Sequence, residues 1–243
     1  MSAAPPPARL HVLLAREAPI GLVIRHGPMH QVRTVLWDRR NDQFTLGQWL
    51  KGRIYEDGCD ISPDGQHWIY GVDKGWQFDN LRYWTAVSRV PYLKALAFYP
   101  KLGCHGGLFV ANRRYFNYDG ALSIGGYESR EVLREAQPPD PVNLRIRDGW
   151  ISVGRWQVFE KSLSYRWSLR RTDYSPRDQY TLAKGETVLS YPDWEWADID
   201  RTRLAWASGG KLWAGRMCKT GLHKIKRLKD FNDMKFEAIE APY

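Results

Sequence analysis

Cysteine is scarce in this chain: Cys59, Cys104 and Cys218 are the only three among 243 residues, widely spaced and odd in number. A secreted disulfide framework is therefore not expected, and reduced thiols in a cytoplasm are the simpler reading. Long apolar runs are lacking as well, and none approaches the roughly 20 residues that a helix needs to span a bilayer. No apolar stretch follows a basic cluster near the start, where Met-Ser-Ala-Ala-Pro-Pro-Pro-Ala-Arg leads into a short run at 11–15, so no export signal is predicted. Acidic residues are outnumbered, 27 against 36 Lys and Arg, which leaves a net charge of +9. That balance is compatible with attraction to nucleic acid, acidic proteins or anionic lipid, and equally with a well-solvated basic surface.

What the chain has in quantity is aromatic side chains, 12 Trp and 13 Tyr within a 43% hydrophobic content, too many for a disordered protein. They fall in short stretches that suit a pleated sheet, separated by turn residues. Strands are expected at 11–15, 21–26, 31–38 and 43–50, with Arg39-Arg40-Asn41-Asp42 as a hairpin turn. Further strands are expected at 84–90, 108–112 and 115–118, and, after the Asp148-Gly149 hairpin signal, from residue 150 to residue 216. Residues 92–99 suit either a strand or a short helix. Residues 103–107 read as a flexible connection, and 127–141 as an insertion with two helical turns stopped by Pro138 and Pro139.

The stretch that organises this pattern is Asp60-Ile-Ser-Pro-Asp-Gly-Gln-His-Trp-Ile-Tyr70, in which Pro63, Asp64 and Gly65 supply turn chemistry and the residues from His67 resume a strand. A weaker echo, Asp198-Ile-Asp-Arg-Thr-Arg-Leu-Ala-Trp-Ala207, begins 138 positions later, or three steps of 46. Turn landmarks near Asp64, Cys104, Asp148 and Arg201 recur at roughly 40–50 residues, the size of a four-stranded propeller blade. The motif resembles the Ser-Pro-Asp-Gly repeat of TolB-like and WD-repeat-like β-propellers over about a dozen residues.

The expected fold is therefore all-β, a propeller of about five blades, with residues 1–9 a flexible segment and 10–243 a single domain; a β-sandwich or two small β-domains is the alternative. The partly alternating residues 231–239, with Phe236 and Ile239 buried, are expected to supply a closing strand.

Catalytic signals are thin. No Gly-x-Ser-x-Gly elbow is present, and the glycine-rich turns lack the lysine and helix start of a phosphate loop. Cys104-His105 is a single adjacent pair, with His67 or Cys59 as conceivable partners, where a zinc site wants two pairs, so no metal or other cofactor is expected. Asp193, Glu195 and Asp198 lie beside Trp194 and Trp196, which suits acid–base chemistry on a stacked sugar, although alternation suits core packing with a polar rim better. Two basic runs, 166–171 and 223–229, interleave cations with apolar residues. Lys224, Lys226, Arg227 and Lys229 are the candidate contacts to a nucleic acid or other polyanion.

The reading that follows is a cytoplasmic, non-catalytic β-propeller that serves as a protein-binding platform, with a protein partner and no membrane. Trp76, Arg82, Tyr83 and Trp84 form an aromatic-basic loop of the residue types that dominate interface hot spots, and are the expected binding residues. A propeller hydrolase acting on a sugar-like ligand and weak polyanion binding are the alternatives.

Overall fold

A computed structural model describes residues 6–27, 30–75, 82–100, 103–119, 133–135, 149–153, 158–173 and 178–243. Trp76 and nearly all of the 127–141 insertion lie outside the described residues. The chain divides into two compact units, one of Met1–His11 with Asp140–Met234, the other of Val12–Pro139 with Lys235–Tyr243.

In the second of these, β1 (Arg9–Leu14), which straddles the division, β2 (Ile20–Gly27), β3 (Gln31–Asp38) and β4 (Gln43–Lys51) form a sheet in chain order. The next sheet has the order β5-β7-β8-β9, from β5 (Arg53–Ile54), β7 (His67–Asp73), β8 (Tyr83–Arg89) and β9 (Ala95–Pro100), with β6 (Asp60–Ile61) also paired to β7. A three-stranded sheet follows: β10 (Gly107–Ala111), β11 (Arg114–Asn117) and β12 (Arg134–Glu135).

The other unit holds β13 (Ile151–Ser152), β14 (Val158–Ser162), β15 (Ser168–Thr172), β16 (Gln179–Lys184) and β17 (Thr187–Ser190) in one sheet. Its second sheet runs β18 (Trp196–Asp200), β19 (Arg203–Ser208), β20 (Lys211–Cys218) and β21 (Gly221–Asp230). Among the described residues there is no α-helix, and four of the five sheets have four or more strands, the blades of a β-propeller-like, all-β fold.

The Ser-Pro-Asp-Gly motif is the hairpin between β6 and β7. The N–H of Gly65 closes the turn on the Ser62 carbonyl at 2.8 Å, and the Asp64 carboxylate accepts the Ser62 hydroxyl at 2.6 Å and the Gln66 N–H at 3.1 Å. Gly65 has φ +73°, and a Cβ there would press on Ile20 and Ala15, so both backbone and space require glycine. Trp68 and Tyr70, two apart and therefore on one face, stack at 3.9 Å between ring centres and are buried. Their polar atoms are satisfied on the loop before β9: Trp68 Nε1 donates to the Tyr92 carbonyl at 2.8 Å and the Tyr70 hydroxyl to that of Leu93 at 2.9 Å. The echo at residue 198 forms the β18–β19 hairpin, whose Trp206 stacks on Trp194 at 5.1 Å within the core of its own unit.

Residues 231–239 are not a closing strand. The last strand ends at Asp230, and the chain leaves the sheet at Phe231, which is fully buried, while Phe236 is 74% exposed. Asn232 explains the exit: it turns back on the Asp230 carboxylate, donates to the Gly209 carbonyl at 3.0 Å and accepts the Ala8 N–H at 2.9 Å. The spaced apolar residues of that segment mimic a strand, but its backbone joins no ladder among the described residues. Of residues 92–99, which suit either a strand or a short helix by sequence, those from Ala95 onward belong to the strand β9 (Ala95–Pro100).

Candidate functional site at the end of β7 and β8

The strands β7 and β8 pair antiparallel with Asp73 opposite Tyr83 and Gly71 opposite Thr85. Two-residue alternation puts Tyr83 and Thr85 on one face and Trp84 on the other. Trp84 is accordingly buried, tilted against Phe98 with ring centres 6.2 Å apart, with the Lys74 ammonium 5.8 Å above its ring. Arg82 and Tyr83 stay half-exposed and form a unit: the guanidinium lies 4.5 Å from the Tyr83 ring centre, and Arg82 Nε stands 3.6 Å from Asp73 Oδ1. Asp73 is held in turn by the Gly75 N–H at 2.7 Å and the Tyr55 hydroxyl at 3.2 Å. Of the four expected binding residues, Arg82 and Tyr83 are thus together at the surface, Trp84 faces the core, and Trp76 lies outside the described residues.

The loop 103–107 lies against the same strands. A Cβ on Gly71 would collide with the Cys104 carbonyl, one on Gly58 with that of His105, and one on Gly106 with that of Gly58. These glycines serve close backbone approach, not looseness, and they seat Cys104 and His105 on β7. Behind the loop stands Asp119, its side chain 1% exposed. Its Oδ1 is 2.5 Å from His105 Nδ1, and its Oδ2 accepts the Thr85 hydroxyl at 2.7 Å. Thr85 Oγ1 also accepts the Gly106 N–H at 3.0 Å, and the Asp119 N–H donates to Asn117 Oδ1 at 3.0 Å. A buried carboxylate therefore orients an imidazole whose side chain is 73% exposed. With Nδ1–H given to Asp119, Nε2 is the atom offered to solvent.

This arrangement can accept a hydrogen bond at His105 Nε2, give charge-assisted hydrogen bonds from Arg82 and stack on Tyr83. Thiol catalysis is disfavoured beside it. Burial pushes the Cys104 thiol up, and the carboxylates of Asp73 and Asp119 push the same way against the weaker opposing effect of Arg82, so the sulfur keeps its proton at neutral pH. Among the described residues no group of three or more His, Cys, Asp or Glu side chains is arranged to hold a metal ion. No helix among them is long and apolar enough to cross a membrane.

The other candidate residues lie on separate elements of the other unit. Lys224, Lys226, Arg227 and Lys229 belong to β21, the terminal strand in its sheet. One extra residue between the Arg216–His223 and Ala214–Lys226 pairs bulges this strand, with Lys224 at φ +50°, and Lys224, Ile225, Lys226 and Arg227 all become exposed instead of alternating. Lysines on an exposed edge also discourage pairing with a second chain. Of the acidic candidates, Glu195 accepts the N–H groups of Leu10 at 2.8 Å and Gly209 at 3.2 Å, and Asp198 grips Lys161 Nζ at 2.6 Å. Asp193 is exposed, and both Trp194 and Trp196 are buried, which makes them core residues. In the run 166–171, Trp167 and Leu169 are buried and Arg170 and Arg171 pair with Glu160 and Asp173.

Sequence reasoning missed Thr85 and Asp119. Asp119 precedes Gly120 and reads locally as an ordinary turn residue, and nothing in the string links it to a histidine 14 positions earlier. The sequence matches no family model, and no curated protein matches it.

Proposed function

We propose that this chain is a non-catalytic β-propeller-like binding module, of the TolB-like or WD-repeat-like kind suggested by its Ser62-Pro63-Asp64-Gly65 turn, that works in the cytoplasm. It engages a protein partner through Arg82, Tyr83 and His105. The observation that carries the reading is pre-organisation: Arg82 is stacked on Tyr83 beside Asp73, and His105 is oriented by the buried Asp119. Fixed aromatic, arginine and imidazole groups at the surface lose little side-chain entropy on binding, the property of hot-spot residues. The protonated state of the Cys104 thiol and the structural engagement of Glu195 and Asp198 weigh against an enzyme. The basic strand β21 has an edge-protecting role that needs no polyanion.

The test is affinity capture from the native cell with the parent chain and with a Tyr83→Ala, His105→Ala double variant, followed by calorimetry on the purified pair. A partner bound by the parent and weakened at least about tenfold by the double variant supports the reading. A partner whose affinity ignores both substitutions sinks it. Tight, sequence-selective binding of a nucleic acid that falls steeply with salt would move the function to β21.

A further inference from the structure

Beyond Asp230 the chain lays its last residues along the unit formed by Val12–Pro139, and it does so in an unusual way. Lys235–Tyr243 contains no strand. Side chains of the sheet, not main-chain ladders, hold its backbone. Arg33 Nη1 donates to the Lys235 carbonyl at 3.2 Å, and Gln48 Nε2 donates to the Ile239 carbonyl at 2.8 Å. Gln48 is itself fixed, because its Oε1 accepts the Leu93 N–H at 2.6 Å. Two side-chain anchors complete the attachment. Glu237 meets Arg33 Nη2 at 3.4 Å, and the Tyr243 hydroxyl accepts the Arg89 N–H at 3.1 Å while donating to the Lys94 carbonyl at 2.7 Å. The Tyr243 ring sits under two cations, 4.6 Å from the Arg89 guanidinium carbon and 5.4 Å from Lys94 Nζ, and edge-on to Tyr92.

The receiving surface offers cationic and amide donors to an extended chain. Arg33 is 2% exposed, stands directly across from the buried Arg25, and its Nε has no hydrogen-bond partner among the described residues. The occupant, by contrast, buries little: Phe236 is 74% exposed, and the side chain of Glu237 is 61% exposed. A segment held by two main-chain acceptors, one acid and one ring, with Ile239, Ala241 and Tyr243 only partly buried and its other six residues exposed, exchanges more readily than a core strand.

We propose that this surface, formed by β3, β4 and the turn from Arg89 to Lys94, is a peptide-binding site. It would take an extended segment of a partner protein with an acidic residue six positions before a tyrosine, and Lys235–Tyr243 is its resident occupant in cis. The site lies at the Arg89 end of β8, roughly 20 Å along the strand from Tyr83, and stands independently of the surface around Arg82.

A labelled peptide, Lys-Phe-Glu-Ala-Ile-Glu-Ala-Pro-Tyr, added to the full chain tests this by fluorescence anisotropy. A full-length Glu237→Ala, Tyr243→Ala variant, its resident segment loosened, should bind the peptide at least tenfold more tightly than the parent does. A peptide with its tyrosine replaced by alanine should lose at least tenfold in affinity for that variant. In the parent, excess peptide should shift the NMR signals of the Tyr243 ring toward those of a solvent-exposed tyrosine, as the ring leaves Arg89, Lys94 and Tyr92, a readout that needs no variant. Equal binding by parent and variant, no binding by either, or indifference to the peptide's tyrosine would overturn the proposal. So would a concentration-dependent dimer of the parent that the peptide cannot dissociate, which would give the surface to a second copy.

Discussion

Arg25 and Arg33 face each other directly across β2 and β3, both buried, with their guanidinium carbons 5.5 Å and 5.1 Å from the centre of one ring, that of Trp49. Like charges in register destabilise a sheet, and burial followed by the field of Arg33 holds the Arg25 guanidinium below its ordinary pKa. The shared ring and the acceptors on Lys235 and Glu237 offset that cost. Trp49→Leu is therefore expected to lose about 2–4 kcal/mol in urea unfolding, as the cation–π contacts vanish with the packing, and Trp49→Phe less than half of that. Equal losses in the two variants would show that shape, not the π face, matters at this position.

Two phenylalanines five positions apart should behave oppositely. Phe231→Ala removes a fully buried ring and is expected to cost roughly 3–5 kcal/mol, whereas Phe236→Ala, at a ring 74% exposed, should cost less than about 1 kcal/mol. Comparable melting temperatures for the two variants would contradict the placement of the chain's exit from β21.

The glycines under the loop 103–107 give a sharper contrast. Gly71→Ala sets a methyl against the Cys104 carbonyl and should cost on the order of 3 kcal/mol, and it should release His105 from Asp119, visible as a changed imidazole shift in NMR. Gly75→Ala meets no atom within 4 Å and is strained only by φ +77°, so about 1 kcal/mol is expected. If Gly71→Ala is the milder change, the backbone contact is not what seats the loop.

The three thiols should alkylate in a fixed order. Hydrogen bonds from the Thr220 side chain and backbone lower the Cys218 pKa, while burial raises that of Cys104 and pushes that of Cys59 well above its usual value. A lowered pKa means more thiolate near pH 8, so iodoacetamide should label Cys218 first, Cys104 next and Cys59 last, as peptide mapping by mass spectrometry would record. Cys59 reacting first would be inconsistent with its burial.

Alkali should weaken the fold through two tyrosines. Burial is the leading cause that raises Tyr70 and Tyr180 above the ordinary 10.0, so the folded state keeps phenolic protons that the unfolded chain gives up. Above pH 10 the unfolded state binds fewer protons, and stability falls as pH rises from there. Tyr70→Phe should flatten that fall while costing about 1–2 kcal/mol at neutral pH through the lost bonds to Leu93 and Ser88. An unchanged slope between pH 10 and pH 12 would count against the linkage.

Strands and hairpins were legible from local chemistry. The expected strand 31–38 matches β3, and the turn at 39–42 sits where Arg39 to Asp42 reverse the chain into β4. The motif at residue 62 told of its own glycine conformation, because Gly65 follows Asp64 in a turn that closes on Ser62. Alternation along β8 accounts for the separation of half-exposed Tyr83 from buried Trp84. The basic run in β21 misled in its periodicity, because bulges, which depend on the partner strand, expose Ile225 beside its cationic neighbours.

Periodicity and turn chemistry act over a few residues, so the sequence by itself determined an all-β chain, its hairpins and the aromatic residues able to fill blade cores. Only the tertiary structure decided that Asp119 stands behind His105, that Arg25 and Arg33 share Trp49, and that Lys235–Tyr243 lies on β3 and β4 instead of forming a strand. The physical reason is the same in each case. A hydrogen bond or a cation over a ring is specified by where two distant stretches of backbone come to rest, and neither partner's local sequence carries the position of the other.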